Sequence, residues 1–162
     1  VCDAGPLIHL DELGCLDLLA DIAEILVPPN VWKEVQRHRP SALQSPGVAL
    51  HRVDILPRLT RGLASLIRSY ALDAGEAQAL RLMRQFPEAT LLTDDAAARF
   101  VAQQLGYDVH GTIGVIVQAL PRKRRTKRQV LNLLRAVPSR SSLFISAPLL
   151  HNVIQQVMDA TV

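Results

Sequence analysis

Aromatic side chains are scarce in this 162-residue chain: Phe, Tyr and Trp make up 4% of it. The core must therefore be built from Leu, Ile, Val and Ala. Cysteine is almost absent. Cys2 and Cys15 are the two present, with no CxxC and no His/Cys metal spacing, so a disulfide framework is excluded and both thiols are expected to be buried apolar residues. No apolar run reaches the roughly 18 residues of a membrane span, and no signal peptide is visible. The five histidines show no HxxxH or HExxH spacing and no serine stands in a GxSxG context, which argues against zinc-protease and serine-nucleophile chemistry. The GTIG run at 111–114 is too short for a dinucleotide loop and predicts a tight turn into a helix. An initiator Met is also missing, so trimming at the start is expected, with the cytoplasm as the expected compartment.

Acids are missing from one long stretch. Residues 109–158 hold eight Lys/Arg and no Asp or Glu, whereas residues 1–108 hold ten Lys/Arg and fourteen Asp/Glu. Six of the eight cations lie in PRKRRTKR at 121–128: Arg122, Lys123, Arg124, Arg125, Lys127 and Arg128. An acidic body with a basic flank suits a protein that gathers metal in one place and polyanion beside it. The six cations are candidate contacts to RNA phosphates, giving affinity and salt dependence without sequence choice. A solvated helix entrance is the plainer reading of the same run.

What is present is ordinary for a globular protein, 49% apolar and 20% charged, and the length suits one domain spanning 1–162. Short apolar runs alternate with helical periodicity, which predicts βαβ units and a three-layer α/β/α sandwich around a central parallel sheet. Strands are expected at 1–3, 24–27, 89–93 and 107–109, with an edge strand at 48–53. Helices are expected at 7–13, 16–20, 28–37, 63–70, 73–86, 95–105, 112–120, 127–136 and 147–160, and 38–46 reads as loop. The C-terminal helices are expected to pack on the same domain. The sheet order cannot be read from this pattern.

Acids recur where these strands give way to helices. Asp3 ends the first strand, Asp94 and Asp95 follow ATLLT, Glu34 lies one turn inside the helix after EILV, and Glu76 opens its helix behind Gly75. Each alone could be a cap, a complement to a helix dipole or a solvated side chain. Together they predict one cleft, since the strand ends of a parallel sheet gather on one edge. Two carboxylates about 4 Å apart repel by roughly 4 kcal/mol at an effective dielectric near 20, so their pKa values rise or a cation joins them. An all-oxygen site favours Mg²⁺ or Mn²⁺, one or two ions, with chemistry suited to phosphodiester hydrolysis. Thr93 is a candidate to hydrogen-bond a ligand carboxylate. Trp32, beside Glu34, is expected in the core or facing a partner.

DAGPLIHL, ILVPPNVWKEV, LDAGEAQAL, LLTDDAAARFVAQQLGYDVHGTIGV and FISAPLL together resemble the PIN-domain proteins, in particular their VapC-like branch. The resemblance implies a PIN-type fold and a metal-dependent ribonuclease site. By motif, Asp3, Glu34 and Glu76 match the first three acids of the family, and the fourth falls on Asp95, with Asp94 its close competitor. It further implies a toxin silenced by a small antitoxin protein, RNA as substrate and a homodimer; the lack of a span-length apolar run separately predicts no membrane partner. The chain departs from the family at Ala4-Gly5, where many members carry a Thr or Ser that orients the site. That departure supports the alternative of a PIN-like module that binds nucleic acid with little or no chemistry. A receiver-type phosphoacceptor is disfavoured, since no lone acceptor aspartate with a suitable downstream lysine is apparent.

Overall fold

The computed structural model describes residues 1–160; the last two residues of the expected 1–162 span lie outside the described residues. Five parallel extended segments form the centre. β1 (Ile25–Val27) pairs with β2 (Leu50–Arg52), and β3 (Thr90–Leu92) pairs with β4 (Asp108–His110). Residues 1–3 join the two pairs. Cys2 N–H donates to the Leu26 carbonyl at 2.9 Å, Leu92 N–H to the Val1 carbonyl at 2.8 Å, and Asp3 N–H to the Leu92 carbonyl at 2.9 Å. The order is therefore β2, β1, residues 1–3, β3, β4, and Asp3 leaves the middle of the sheet at its carboxyl edge.

The side chains of these segments alternate between two cores, as the period of two in a strand requires. Cys2, Ile25, Val27 and Leu92 face a core completed by α1 (Ala4–Glu12), α2 (Pro29–His38), α6 (Thr112–Gln118), α7 (Lys127–Arg140) and α8 (Ala147–Asp159). Val1, Leu26 and Leu91 face the other, completed by α3 (Arg61–Ser69), α4 (Ala74–Met83) and α5 (Ala96–Gln104). The fold is a three-layer α/β/α sandwich, as expected. Trp32 packs against the first core, and both cysteines are buried and free.

Most elements fall where periodicity places them, and the exceptions have local causes. α1 begins three residues early because Pro6 sits in its first turn, where no N–H is required; Gly14, at φ +67°, closes it in the left-handed conformation. α4 stops at Met83 rather than 86, since Pro87 biases its neighbour away from helix. α7 runs to Arg140, four residues past expectation, through Pro138. Val137 is fully buried there, and its burial offsets the hydrogen bond that proline cannot donate. The 16–20 segment is a short 3₁₀ turn, Leu16–Leu19, and the 38–46 loop holds another, Pro40–Gln44.

Candidate active site

Asp3 is held from both sides. Its backbone is locked in the sheet, and its side chain is only 8% exposed. The Thr93 hydroxyl donates to Asp3 Oδ2 at 3.1 Å and accepts from the Asp95 N–H at 3.2 Å. One hydroxyl at the end of β3 thus fixes the carboxylate of Asp3 and the backbone that launches Asp95. Burial pushes the Asp3 carboxyl up to about 6; hydrogen bonds from the Ala4 N–H and Thr93 work against the rise, and the charges of Asp73 and Glu34 add to it. Asp95 caps α5, accepting from the Ala98 N–H at 2.7 Å.

Glu76 reaches the same space from the first turn of α4. There Asp73 and Glu76 form a reciprocal capping box: Glu76 N–H donates to Asp73 Oδ1 and Asp73 N–H donates to Glu76 Oε2, both at 2.8 Å. Burial pushes Glu76 up to about 7, opposed by the bond from the Asp73 N–H and reinforced by the charges of Asp73, Asp95 and Asp3. Between the two capping residues lies Gly75. A Cβ at that position would stand 3.3 Å from Asp73 Oδ1 and 3.7 Å from Asp3 Oδ1, so the carboxylates approach over bare backbone. Glu34 faces them from α2, whose start is tied to α4 by the Asn30 N–H donating to Gln78 Oε1 at 2.8 Å. Partial burial and then the charge of Asp73 raise the Glu34 pKa, while His38 lowers it. Asp73 is an acid that sequence reasoning passed over, since it entered only as the start of the 73–86 helix.

Asp94 points elsewhere. Its Oδ1 accepts from the Thr112 N–H at 2.7 Å, and its Oδ2 receives the Thr112 hydroxyl and pairs with His9 Nδ1 at 2.8 Å. The side chain ties β3 to α1 and α6. Gly111 permits this approach: a Cβ there would lie 2.6 Å from both Asp94 Oδ1 and an Arg99 guanidinium nitrogen, and 3.1 Å from the Thr93 carbonyl. Gly111→Ala is therefore expected to destabilise the fold by about 1–3 kcal/mol through overpacking, read as a lowered urea midpoint at unchanged slope. The GTIG turn into α6 is as expected; the His9–Asp94 pair, with partners 85 residues apart, carries no local signal.

The basic run does not adjoin the acids. Arg122 lines a cleft of about 420 Å³ with Glu24, Thr90 and Asp108, residues at the starts of the strands and so at the opposite edge of the sheet. Arg124 pairs with Asp21 at 3.1 Å, Arg125 with Asp17 at 2.7 Å, and the Lys127 ammonium donates to the Ala160 carbonyl at 2.9 Å. Those three cations staple the chain to itself. Among the described residues, Arg122, Lys123 and Arg128 have no acidic partner. A groove of about 460 Å³ reaches one of the acids, Glu34, and is lined beside it by Gly5, His9, Glu12, His38 and Arg39.

Among the described residues, no three His, Cys, Asp or Glu side chains close on a point where they could hold an ion. The donor chemistry nonetheless fits a hard divalent cation. The charges of Asp73 and Glu34 raise Asp3, that of Asp73 raises Glu34, and those of Asp73, Asp95 and Asp3 raise Glu76. None of the five has a cationic ion-pair partner among the described residues. The space over Gly75, which a Cβ would fill, is where Asp3 and Asp73 meet.

No curated protein and no solved structure matches the chain. A family model described as a PIN domain matches residues 1–159. PIN domains are in general nucleases that use divalent metal ions. With acids at the carboxyl edge of a parallel sheet and a family match over nearly its whole length, the chain belongs to the PIN-domain family.

Proposed function

We propose that the protein is a Mg²⁺- or Mn²⁺-dependent endoribonuclease of the VapC-like toxin type, cutting single-stranded or loop RNA. The observation that carries this reading is the buried Asp3 carboxylate, set among four other acids none of which has an ion-pair partner among the described residues. Asp3, Glu76 and Asp95 hold the ion in this proposal. Asp94 is the weaker candidate, since both its oxygens are engaged by Thr112 and His9. Thr93 keeps Asp3 oriented, the task a Thr or Ser beside the first aspartate has in many relatives, and so offsets Ala4-Gly5. Glu34, at the mouth of the groove and raised in pKa, positions the attacking water and takes its proton. When bound, a divalent ion supplies Lewis acidity toward water and the phosphoryl oxygens.

In this proposal the nucleic-acid strand lies in the groove beside Glu34. Arg122, Lys123 and Arg128 can reach phosphates of a longer strand at the far edge, whereas Arg124, Arg125 and Lys127 first serve the fold. A second copy and a small antitoxin belong to the same proposal. The Tyr70–Phe100 ring pair, 40% and 44% exposed, and Phe144, 92% exposed, are apolar surfaces such partners can cover.

Purified protein is expected to cleave structured RNA with Mg²⁺ or Mn²⁺, to stop when EDTA is added, and to bind Mn²⁺ by calorimetry. A wild-type chain that binds RNA but neither cuts it nor takes up Mn²⁺ would establish the binding-module alternative, which the departure at Ala4-Gly5 favours.

A further inference from the structure

We propose that His9 sets a preference of the groove for ribose over deoxyribose, its ring Nε2 accepting a hydrogen bond from a 2′-hydroxyl of the bound strand. This deepens the ribonuclease reading and rests on its placing of the strand in that groove.

Asp94 fixes the orientation of the ring. Thr112 donates its backbone N–H to Asp94 Oδ1 and its hydroxyl to Oδ2, and His9 Nδ1 meets Oδ2 at 2.8 Å. A carboxylate offers only acceptors, so the shared proton stands on Nδ1. With the proton there, the imidazole keeps a lone pair on Nε2 as its second function. The pair thus presents one oriented acceptor on the side of the ring away from Asp94.

On that side lies the groove. His9 lines it together with Glu34, Glu12, His38 and Arg39. Nε2 makes no hydrogen bond among the described residues, and no buried side-chain nitrogen or oxygen among them lacks a partner, so this atom is open to the groove rather than sealed in the core. The side chain as a whole is only 14% exposed, so packing holds it in place. Two other polar groups of the wall are already engaged: Glu12 accepts from Ser141 and Ser142, and Arg39 donates to Asp11. The ring passes over Gly5, with His9 Cε1 and Asp94 Oδ2 at 3.5 and 3.4 Å from where a Cβ would stand, and Gly5 follows Asp3 by two positions. A strand lying beside Glu34 therefore runs past this ring on its way to the acids.

A lone pair gains nothing from a phosphate oxygen, itself an acceptor. It matches a donor, and the donor that every nucleotide of RNA carries and DNA lacks is the 2′-hydroxyl.

Single strands of one sequence, built on ribose, deoxyribose or 2′-O-methyl ribose, are titrated with the full chain by fluorescence anisotropy in EDTA, so that no strand is cut. The 2′-O-methyl strand keeps the sugar oxygen and loses the donor. Wild type is expected to bind the ribose strand about 3- to 10-fold more tightly than the other two, the range of one neutral hydrogen bond. His9→Asn keeps an N–H where Nδ1 stands, and His9→Phe keeps the volume of the ring; both lack the outer acceptor. Each is expected to bind all three strands alike, at the affinity of wild type for deoxyribose. Melting temperatures identify the folded variants, and partial unfolding weakens every strand equally without moving the ratio between sugars. Wild-type preference retained in either folded variant overturns the proposal. So does an equal loss on all three strands, which assigns His9 to phosphate or to packing, and so does a wild type indifferent to the sugar. A wild type that binds no strand fails the nucleic-acid reading itself. A chain that cuts RNA with Mn²⁺, and whose variants keep the sugar ratio, leaves that reading standing and removes His9 from it.

Discussion

Asp3→Asn is expected to remove RNA cleavage while making the metal-free protein more stable. Loss of a ligand that contributes several kcal/mol of charge stabilisation corresponds to a rate drop on the order of 10³-fold. The gain in stability has a different origin. The Asp3 carboxyl titrates near 3.8 in an unfolded chain and at about 6 in the fold. Below pH 3.8 both states hold the proton, and ionisation costs nothing. As pH rises from about 4 to about 6 the unfolded chain releases its proton while the fold retains it, so folding loses stability through that window and stays lower above it. Glu76, raised from 4.5 to about 7, contributes with the same sign up to neutral pH. Asparagine does not titrate and can still accept from Thr93, so the variant should gain about 1–3 kcal/mol over wild type above pH 6 and nothing near pH 3.5. Saturating Mn²⁺ should raise the melting temperature of wild type and leave the variant unmoved. Thermal melts from pH 3.5 to 8, with and without Mn²⁺, beside an RNA cleavage assay, test this. A variant that still cleaves, or that melts below wild type at every pH, contradicts it.

Asp94→Ala should give the reverse. Truncation strands the hydroxyl and N–H of Thr112, a fully buried residue, and releases His9. Each buried group left without a partner costs about 1–3 kcal/mol, so a loss of roughly 3–5 kcal/mol is expected, a melting shift on the order of 10 °C for a chain of this size. Asp95→Asn should cost little stability, since asparagine also caps a helix, yet lower Mn²⁺-dependent cleavage by two orders of magnitude or more, by the same scale as Asp3. The pair of variants decides which of the adjacent acids serves the site. Normal melting with lost metal binding in Asp94→Ala, and the converse in Asp95→Asn, would exchange their assignments.

The adjacent aspartates mark the limit of what the chain reveals in one dimension. Neighbours on an extended backbone point to opposite sides, so TDD announces that an acid reaches the carboxyl edge without saying which one. Asp73 entered the sequence reading only as the start of a helix, and its reciprocal cap with Glu76 is seen in the structure. Arg124 and Arg125 read as free cations because their partners, Asp21 and Asp17, lie about a hundred residues away in sequence. The PRKRRTKR run was expected beside the acids, and it stands at the other edge because α6 carries the chain from Gly111, next to Asp94, down the layer to Arg122.

By itself the sequence determined the alternation of strands and helices, the three-layer class and a list of candidate acids, Asp3, Glu34, Glu76, Asp94 and Asp95, all of which depend on periodicity and on residues within a few positions of each other. Only the tertiary structure decided the sheet order, the joining of its halves through residues 1–3, the turn of Asp94 toward His9 and Thr112, the meeting of Asp73 with Asp3 over Gly75 and the separation of the basic run from the acids. These are contacts between distant segments. Their geometry is set by packing of layers about a shared core, and no local propensity encodes it.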